Sequence, residues 1–229
     1  MTETTLTRPV LIRTVVLRFF EAILALMALF FIPAGTLAYW EAWLYLAILF
    51  IPMLFVLFYL LRNDPELLER RMRFGEKEKT QKRVINLSLL WFLLAFIIPG
   101  LDFRFGWSSV PVIVVLVAAL FVLLGYIMVF LVFRENTYAS RVIEVAKGQK
   151  VIDTGPYAIV RHPMYIGAIV MYVLSPLALG SWWAVLFALP IIPLLVVRIL
   201  NEEKVLSQDL PGYVAYCQKV RYRLLPGIW

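Results

Sequence analysis

What most constrains this chain is a succession of apolar runs, each close to the roughly 20 residues that an α-helix needs to cross the hydrocarbon core of a bilayer. The cleanest, Val110 to Phe133, contains no charged residue. Inside hydrocarbon a backbone N–H or C=O finds no water, so a spanning chain must be helical or belong to a closed barrel. Runs this continuous lack the in–out alternation of a barrel strand, which leaves helices. Composition agrees: 62% of the 229 residues are hydrophobic, against about 45–50% in an ordinary soluble domain.

The runs predict an all-α membrane protein with about six transmembrane helices, at roughly 17–39, 43–61, 84–100, 110–133, 164–180 and 182–200. Trp40, Trp43, Trp107, Trp182 and Trp183 fall near the expected span ends, where amphipathic rings favour the headgroup zone. The first run follows Arg8, Arg13 and Arg18 as a signal peptide would, but it is too long for one and another span follows at once. It reads as a retained helix. Glu21 lies within a turn of Arg18 near the end of that helix, and pairing or snorkelling is its expected role.

Lysine and arginine predict the orientation. Of 22 basic residues, 21 fall before span one, in the connections 62–83 and 134–163, or from Arg198 onward, and only Arg104 lies on the opposite side. By the positive-inside rule both termini, both long connections and a helical C-terminal tail are cytoplasmic, and the expected location is a prokaryotic plasma membrane. The net charge of +7 then serves loops facing anionic headgroups, and nucleic acid is not an expected partner. Cys217 and His162 are each the sole residue of their type, which argues against a disulfide framework or a metal centre.

Chemistry concentrates in the second half. Residues 1–133 carry helices one to four. In their connection, Asn63-Asp64-Pro65 reads as a capped helix start, followed over 65–73 by a short basic amphipathic surface helix. Residues 134–229 form the expected catalytic region. Gln149 to Ile152 read as a short extended run, closed by the turn Gly155-Pro156. Pro163, fit for a first helical position, opens span five after Arg161-His162. The Met164 and Tyr165 amides are then expected to stand free at the positive end of a helix dipole, which suits an anion. Arg198 and Glu202 share a face of the last span, either as a structural pair or with the guanidinium gripping an anionic ligand. Tyr213 and Tyr216 share a face with Val220, and the simplest role of that face is to dock the tail on the membrane. Trp229 reads as an interfacial anchor.

In order, Thr154-Gly155-Pro156-Tyr157-Ala158-Ile159-Val160-Arg161-His162-Pro163-Met164-Tyr165-Ile166-Gly167, Arg198 with Glu202-Glu203, Tyr213-Val214-Ala215-Tyr216 and Arg223-Leu224-Leu225-Pro226 resemble the isoprenylcysteine carboxyl methyltransferase family across roughly Asn136 to Pro226. That resemblance implies a membrane methyltransferase that uses S-adenosylmethionine and a lipophilic acceptor, such as the carboxylate of a prenylated cysteine. It implies cofactor contacts from Gln149, Lys150, Val151 and Ile152, from Tyr157, from His162, Pro163, Met164 and Tyr165, and from Glu202, with the tail covering the pocket. Arg198 is implied to face the acceptor, so Arg198 and Glu202 are the candidate catalytic residues. The tail is shorter than the commoner family pattern, which leaves Glu203 a candidate beside Glu202. No metal is implied. The competing reading is a membrane enone reductase of the sterol or steroid type that uses NAD(P)H and carries a similar Arg-His-Pro-x-Tyr. Arg198, the glutamate pair and the tyrosine tail favour the methyltransferase.

Overall fold

The computed structural model describes residues 7–72, 79–143 and 145–229. Arg73 and Lys77 of the basic connection, and Glu144, lie outside the described residues. The chain is all-helical, with 75% of it in helix and no strand among the described residues. In order the helices are α1 (Arg8–Ala34), α2 (Trp40–Asn63), α3 (Pro65–Met72), α4 (Lys79–Phe105), α5 (Val112–Glu135), α6 (Pro163–Ala178), α7 (Trp183–Ala188), α8 (Ile191–Asp209) and α9 (Tyr213–Lys219). A 3-10 turn covers Gly155–Ala158.

Among the described residues, five segments are long and apolar enough to cross a membrane: α1, α2, residues 82–105 of α4, α5, and α7 with α8 taken together. Only 17–28% of each apolar window is buried inside the protein. Side chains such as Leu24, Ile32, Ile51, Phe58 and Ile113 stand exposed on the outside of the bundle. Water would oppose so large an apolar surface, and lipid accepts it. The chain is an integral membrane protein.

Several boundaries differ from the sequence reading, each for a physical reason. Helix α1 begins at Arg8 rather than near residue 17 and takes in Arg8, Arg13 and Arg18, because long cationic side chains can reach out of a helix end without breaking it. Arg18 and Glu21 do pair, at 3.0 Å. The last span is not one continuous helix. It breaks between Ala188 and Ile191, where Pro190 supplies no N–H to the helical ladder and Pro193 follows one turn later. Helix α8 then runs on to Asp209, carrying Arg198, Glu202 and Glu203 beyond the apolar part. Helix α6 has 16 residues, about 24 Å at 1.5 Å per residue, shorter than the hydrocarbon core of about 30 Å.

That short helix lies tightly against α5. A Cβ placed on Gly167 would lie 2.6 Å from the Gly125 carbonyl oxygen, and one on Gly125 would lie 2.9 Å from the Gly167 carbonyl oxygen. Small residues at such a crossing let two membrane helices approach backbone to backbone. The surface helix α3 forms where expected, and Asp64 caps it by accepting from the Leu67 amide at 3.0 Å. Leu67 and Leu68 on its buried face pack with Leu60, Val132 and Ala139, seating α3 beside the basic ends of α2 and α5.

The end of the bundle bearing the tryptophans is closed by polar contacts. Asp102 is buried and accepts from the Ser108 amide at 2.7 Å, the Ser108 hydroxyl at 2.6 Å and the Ser181 hydroxyl. The Tyr39 hydroxyl donates to the Leu179 carbonyl. Substituting Gly167 by Val should strain the α5–α6 crossing by about 1–3 kcal/mol and lower the unfolding midpoint in detergent. An unchanged midpoint would contradict this packing.

Candidate functional site

The opposite end, where α5 stops and α6 and α8 begin and end, holds the polar cleft of the molecule. Its floor is set by the long connection 136–162, which local hydrogen bonds fold back on itself. Asn136 donates to the Tyr157 hydroxyl at 2.9 Å and accepts from the Tyr138 amide at 2.9 Å. The Thr154 hydroxyl donates to Glu135 at 2.8 Å. Gly155 turns the chain there with φ of 55°, and a Cβ would meet the Glu135 side chain at 2.7 Å. The side-chain oxygen of Gln149 accepts from the Ala146 amide at 2.9 Å, pinning the segment before Lys150.

Two adjacent glutamates on α8 point to different work. Glu203 is buried and faces two guanidiniums and an imidazole. His162 Nε2 lies at 3.2 Å in a hydrogen bond, and Arg223 Nε donates at 2.8 Å. Arg161 Nε lies at 3.2 Å, at an angle too poor for a hydrogen bond. The backbone adds to the same joint, the Arg161 amide donating to the Tyr222 carbonyl and the His162 amide to the Arg223 carbonyl, both at 2.9 Å. Glu203 therefore ties the start of α6, the end of α8 and the tail into one unit.

Glu202, about 100° further round the helix, faces the cleft and accepts from the Tyr165 hydroxyl at 2.6 Å. Arg198 donates through Nε to the same hydroxyl at 3.0 Å and through Nη2 to the Arg141 carbonyl at 2.7 Å. Arg198 and Glu202 are thus joined through Tyr165 and not as the direct pair that their spacing also allowed. The tail closes the cleft from above. Leu210, Tyr213, Tyr216 and Val220 pack with Val145, Val151 and Leu206, and the Tyr216 hydroxyl donates to the Tyr157 carbonyl at 2.8 Å. The tyrosine face thus docks on the protein, not on the membrane as its pattern first indicated. Trp229 likewise lies under the Arg223 guanidinium, 5.2 Å from its ring centre.

The cavity between these elements measures about 100 Å³. It is lined by Gln149, Lys150, Val151, Ile152, Tyr157, His162, Met164, Tyr165, Arg198 and Glu202, ten of the residues singled out in the sequence. Pro163 and Glu203 do not line it. Pro163 sits in the first turn of α6 and Glu203 in the ionic joint. The lining also includes Asn136, Tyr138, Ala139 and Ser140, which the sequence reading passed over. Their only local signal was a polar stretch directly after a long apolar run. One expected feature is absent: the Tyr165 amide is not free, since it donates to the His162 carbonyl at 3.1 Å in a tight first turn. Closing that turn internally removes one donor from the proposed anion site.

Electrostatically, the phenols here are neutral. Burial pushes Tyr157 up to about 12, partly offset by the Asn136 hydrogen bond, and burial raises Tyr213 and Tyr216 as well. Tyr213 matters most, because its hydroxyl is buried and has no hydrogen-bond partner among the described residues. An unmet buried hydroxyl costs about 1–3 kcal/mol, so it is a natural contact for a ligand. At the rim, Lys219 holds the Asp153 carboxyl below its usual range. That tie of the tail is present at neutral pH and is lost as pH falls through the lowered pKa.

Residues 113–210 match the phospholipid methyltransferase family model. This is a membrane methyltransferase family related to the isoprenylcysteine carboxyl methyltransferases, so the resemblance read from the sequence holds at that level. The matched segment begins in α5 and ends at Leu210, so it contains the connection, α6, α8 and the glutamate pair. Match and helices together support a membrane methyltransferase.

Replacing Glu203 by Gln leaves Arg161, His162 and Arg223 around a neutral group. Breaking a buried ionic arrangement by removing one partner costs about 3–5 kcal/mol. The unfolding midpoint should fall sharply, and amide exchange should rise over residues 210–229. A variant as stable as the parent, with an equally protected tail, would remove the structural role given to Glu203.

Proposed function

We propose that the cleft binds S-adenosylmethionine and that the protein transfers its methyl group to a lipophilic acceptor, the carboxylate of a prenylated cysteine being one acceptor of the fitting kind. The observation that carries the reading is the Tyr165 hydroxyl, set between the Glu202 carboxylate and the Arg198 guanidinium inside one cleft. A cationic, amine-bearing cofactor calls for a carboxylate acceptor of hydrogen bonds, and an acidic methyl acceptor calls for a guanidinium. The unmet Tyr213 hydroxyl and the apolar side chains of Val151 and Leu206 suit the rest of such a ligand.

When bound, the cofactor supplies a methyl group already activated on a positively charged sulfur. The chain's own residues then have little acid–base work to do. In this reading Gln149 to Ile152, Tyr157, His162 and Met164 hold the cofactor in place with Glu202, while Pro163 and Glu203 keep α6 and the tail positioned around it. Arg198 orients the acceptor's oxygens. The docked tail excludes water, and holding the two reactants in line supplies most of the acceleration. Methylation neutralises an acidic acceptor, so the hold of Arg198 weakens after transfer and product can leave.

This reading sets the cleft on the cytoplasmic side of the membrane with both termini, and the distribution of basic residues supports it. In a Cys217→Ser background, a cysteine at Lys147 should be labelled only from the inside and one at Phe105 only from the outside. Label reaching position 147 from outside would overturn this orientation.

The two facing charges give a sharper test. Glu202→Gln should weaken binding of S-adenosylhomocysteine by about 1–3 kcal/mol through loss of a charge-assisted hydrogen bond. Arg198→Lys should leave that affinity nearly unchanged and slow a single turnover, because an ammonium does not reproduce a planar two-point grip on a carboxylate. Equal effects of both variants on both quantities would sink the assignment. Titration with NADPH serves as the control: binding of it, and of neither methionine-derived cofactor, would restore the reductase.

A further inference from the structure

Helix α3 lies before the segment matched by the family model, and none of its residues lines the cleft. Its last turn nonetheless sets two adjacent arginines, Arg70 and Arg71, against the strip 136–140. Asn136, Tyr138, Ala139 and Ser140 of that strip do line the cleft. The strip belongs to no helix or strand, so its carbonyls have no regular ladder to join and need partners of their own.

Those partners alternate. The Asn136 carbonyl accepts from the Ala139 amide at 3.2 Å and the Tyr138 carbonyl from the Ser140 amide at 2.6 Å, both within the strip. The carbonyls of Thr137 and Ala139 are met from α3. Arg70 Nη1 donates to the Thr137 carbonyl at 2.7 Å, and Arg71 Nη1 to the Ala139 carbonyl at a longer 3.4 Å. Adjacent helical side chains diverge by about 100°, so the pair meets the strip at two separate places.

Both arginines are themselves held. The Arg70 guanidinium stands 5.3 Å from the centre of the Tyr138 ring, and that of Arg71 stands 4.8 Å from the Phe133 ring. Leu67 and Leu68 of the same helix pack with Val132 and Ala139, so α3 does not slide along the strip without breaking apolar contacts. Tyr138 carries the constraint onward. Its hydroxyl donates to the Gly148 carbonyl at 3.3 Å, directly before Gln149 to Ile152, four successive residues of the cleft lining. An apolar side chain at position 71 would avoid the cost of burying a guanidinium, but it would leave the Ala139 carbonyl without that donor.

We infer that Arg70 and Arg71 are positioning residues, which clamp the strip 137–139 from α3 so that Tyr138 holds the segment 148–152 in place for the cofactor. The inference rests on the cofactor reading of the cleft. It adds to the site a surface helix remote in sequence, which acts through the strip and does not touch the ligand. Arg70 carries more of the hold, by its shorter bond and its contact with the Tyr138 ring.

The test uses the full chain in a neutral detergent and measures S-adenosylhomocysteine affinity, amide exchange along the chain and melting temperature. Arg70→Gln should weaken S-adenosylhomocysteine by about tenfold, about 1.4 kcal/mol. Exchange should rise over 137–152, with the melting temperature and the exchange of the tail unchanged. Arg70→Lys keeps a donor and a charge that can lie over the ring, and it should recover most of the affinity. Arg62→Gln, at an exposed basic position on α2, should change nothing. Parental affinity in Arg70→Gln overturns the inference, and so does an equal loss in Arg62→Gln. A loss that follows a general fall in melting temperature and is not recovered by Arg70→Lys also overturns it. Tyr138→Phe removes the bond to Gly148 and should cost about threefold, with little further loss when joined to Arg70→Gln; fully additive losses overturn the route through Tyr138. If Arg70→Gln does not fold, Tyr138→Phe is read alone, and parental affinity with unchanged exchange over 148–152 overturns the inference. The two readings fail separately. A parent protein that binds S-adenosylhomocysteine no better than Arg70→Gln does fails the clamp alone. A parent that binds none, while Arg70→Gln raises exchange over 137–152, fails the cofactor reading and still supports the clamp.

Discussion

Hydrocarbon offers a polypeptide no hydrogen-bond partner and no solvation for charge, and the rest of this structure follows from that constraint. Helices carry the chain across. Polar chemistry is pushed to the two ends of the bundle, where it divides by kind. At one end Asp102 gathers Ser108 and Ser181 into a compact closure. At the other, Glu203 gathers Arg161, His162 and Arg223, and the cleft forms beside them. Helix α8 can serve this end because it runs beyond its apolar part as an unbroken helix to Asp209. It delivers a guanidinium and two carboxylates within two turns.

The division of labour between the neighbouring glutamates is a consequence of helical geometry. One residue of offset turns the side chain by about 100°, so Glu203 enters the joint with α6 and the tail while Glu202 faces the cleft. A rigid joint beside the cleft has a physical use. Positioning loses its value quickly when the supporting groups move, and here the support is ionic, buried and shared by three segments. Helix α6 contributes in the same way. It is short, opens with Pro163 and lies on α5 through Gly125 and Gly167, so His162, Met164 and Tyr165 have little freedom.

Much of this was legible in the sequence, because the constraint that shapes the fold is written in apolar runs and in the placement of basic residues. Pro163 marked the start of α6, Asp64 the cap of α3, and Arg18 with Glu21 an ion pair. Ten of the site residues that the family resemblance implies line one cleft, since short motifs at helix ends report local geometry well. What stayed hidden depends on contacts between segments distant in the chain. The Gly125–Gly167 crossing and the approach of Arg71 to Met164 are such contacts, and no periodicity records them. Competition between local partners decided other details. The His162 carbonyl takes the Tyr165 amide, and the tyrosine face of α9 found protein to pack against before it found lipid. Proline chemistry could have shown the break before Ile191, but a continuous apolar composition masked it.

The central claim is that this helical membrane protein moves a methyl group from S-adenosylmethionine to a lipophilic acidic acceptor. The most direct measurement incubates the purified protein with methyl-tritiated S-adenosylmethionine and a total membrane extract, then separates the organic phase. The account predicts tritium in an organic-soluble product whose label is released by mild base, as a methyl ester requires, and much less of that label, at a limiting cofactor concentration, when Glu202→Gln replaces the parent protein. An organic phase free of tritium, in an extract where the same protein consumes NADPH, would contradict it.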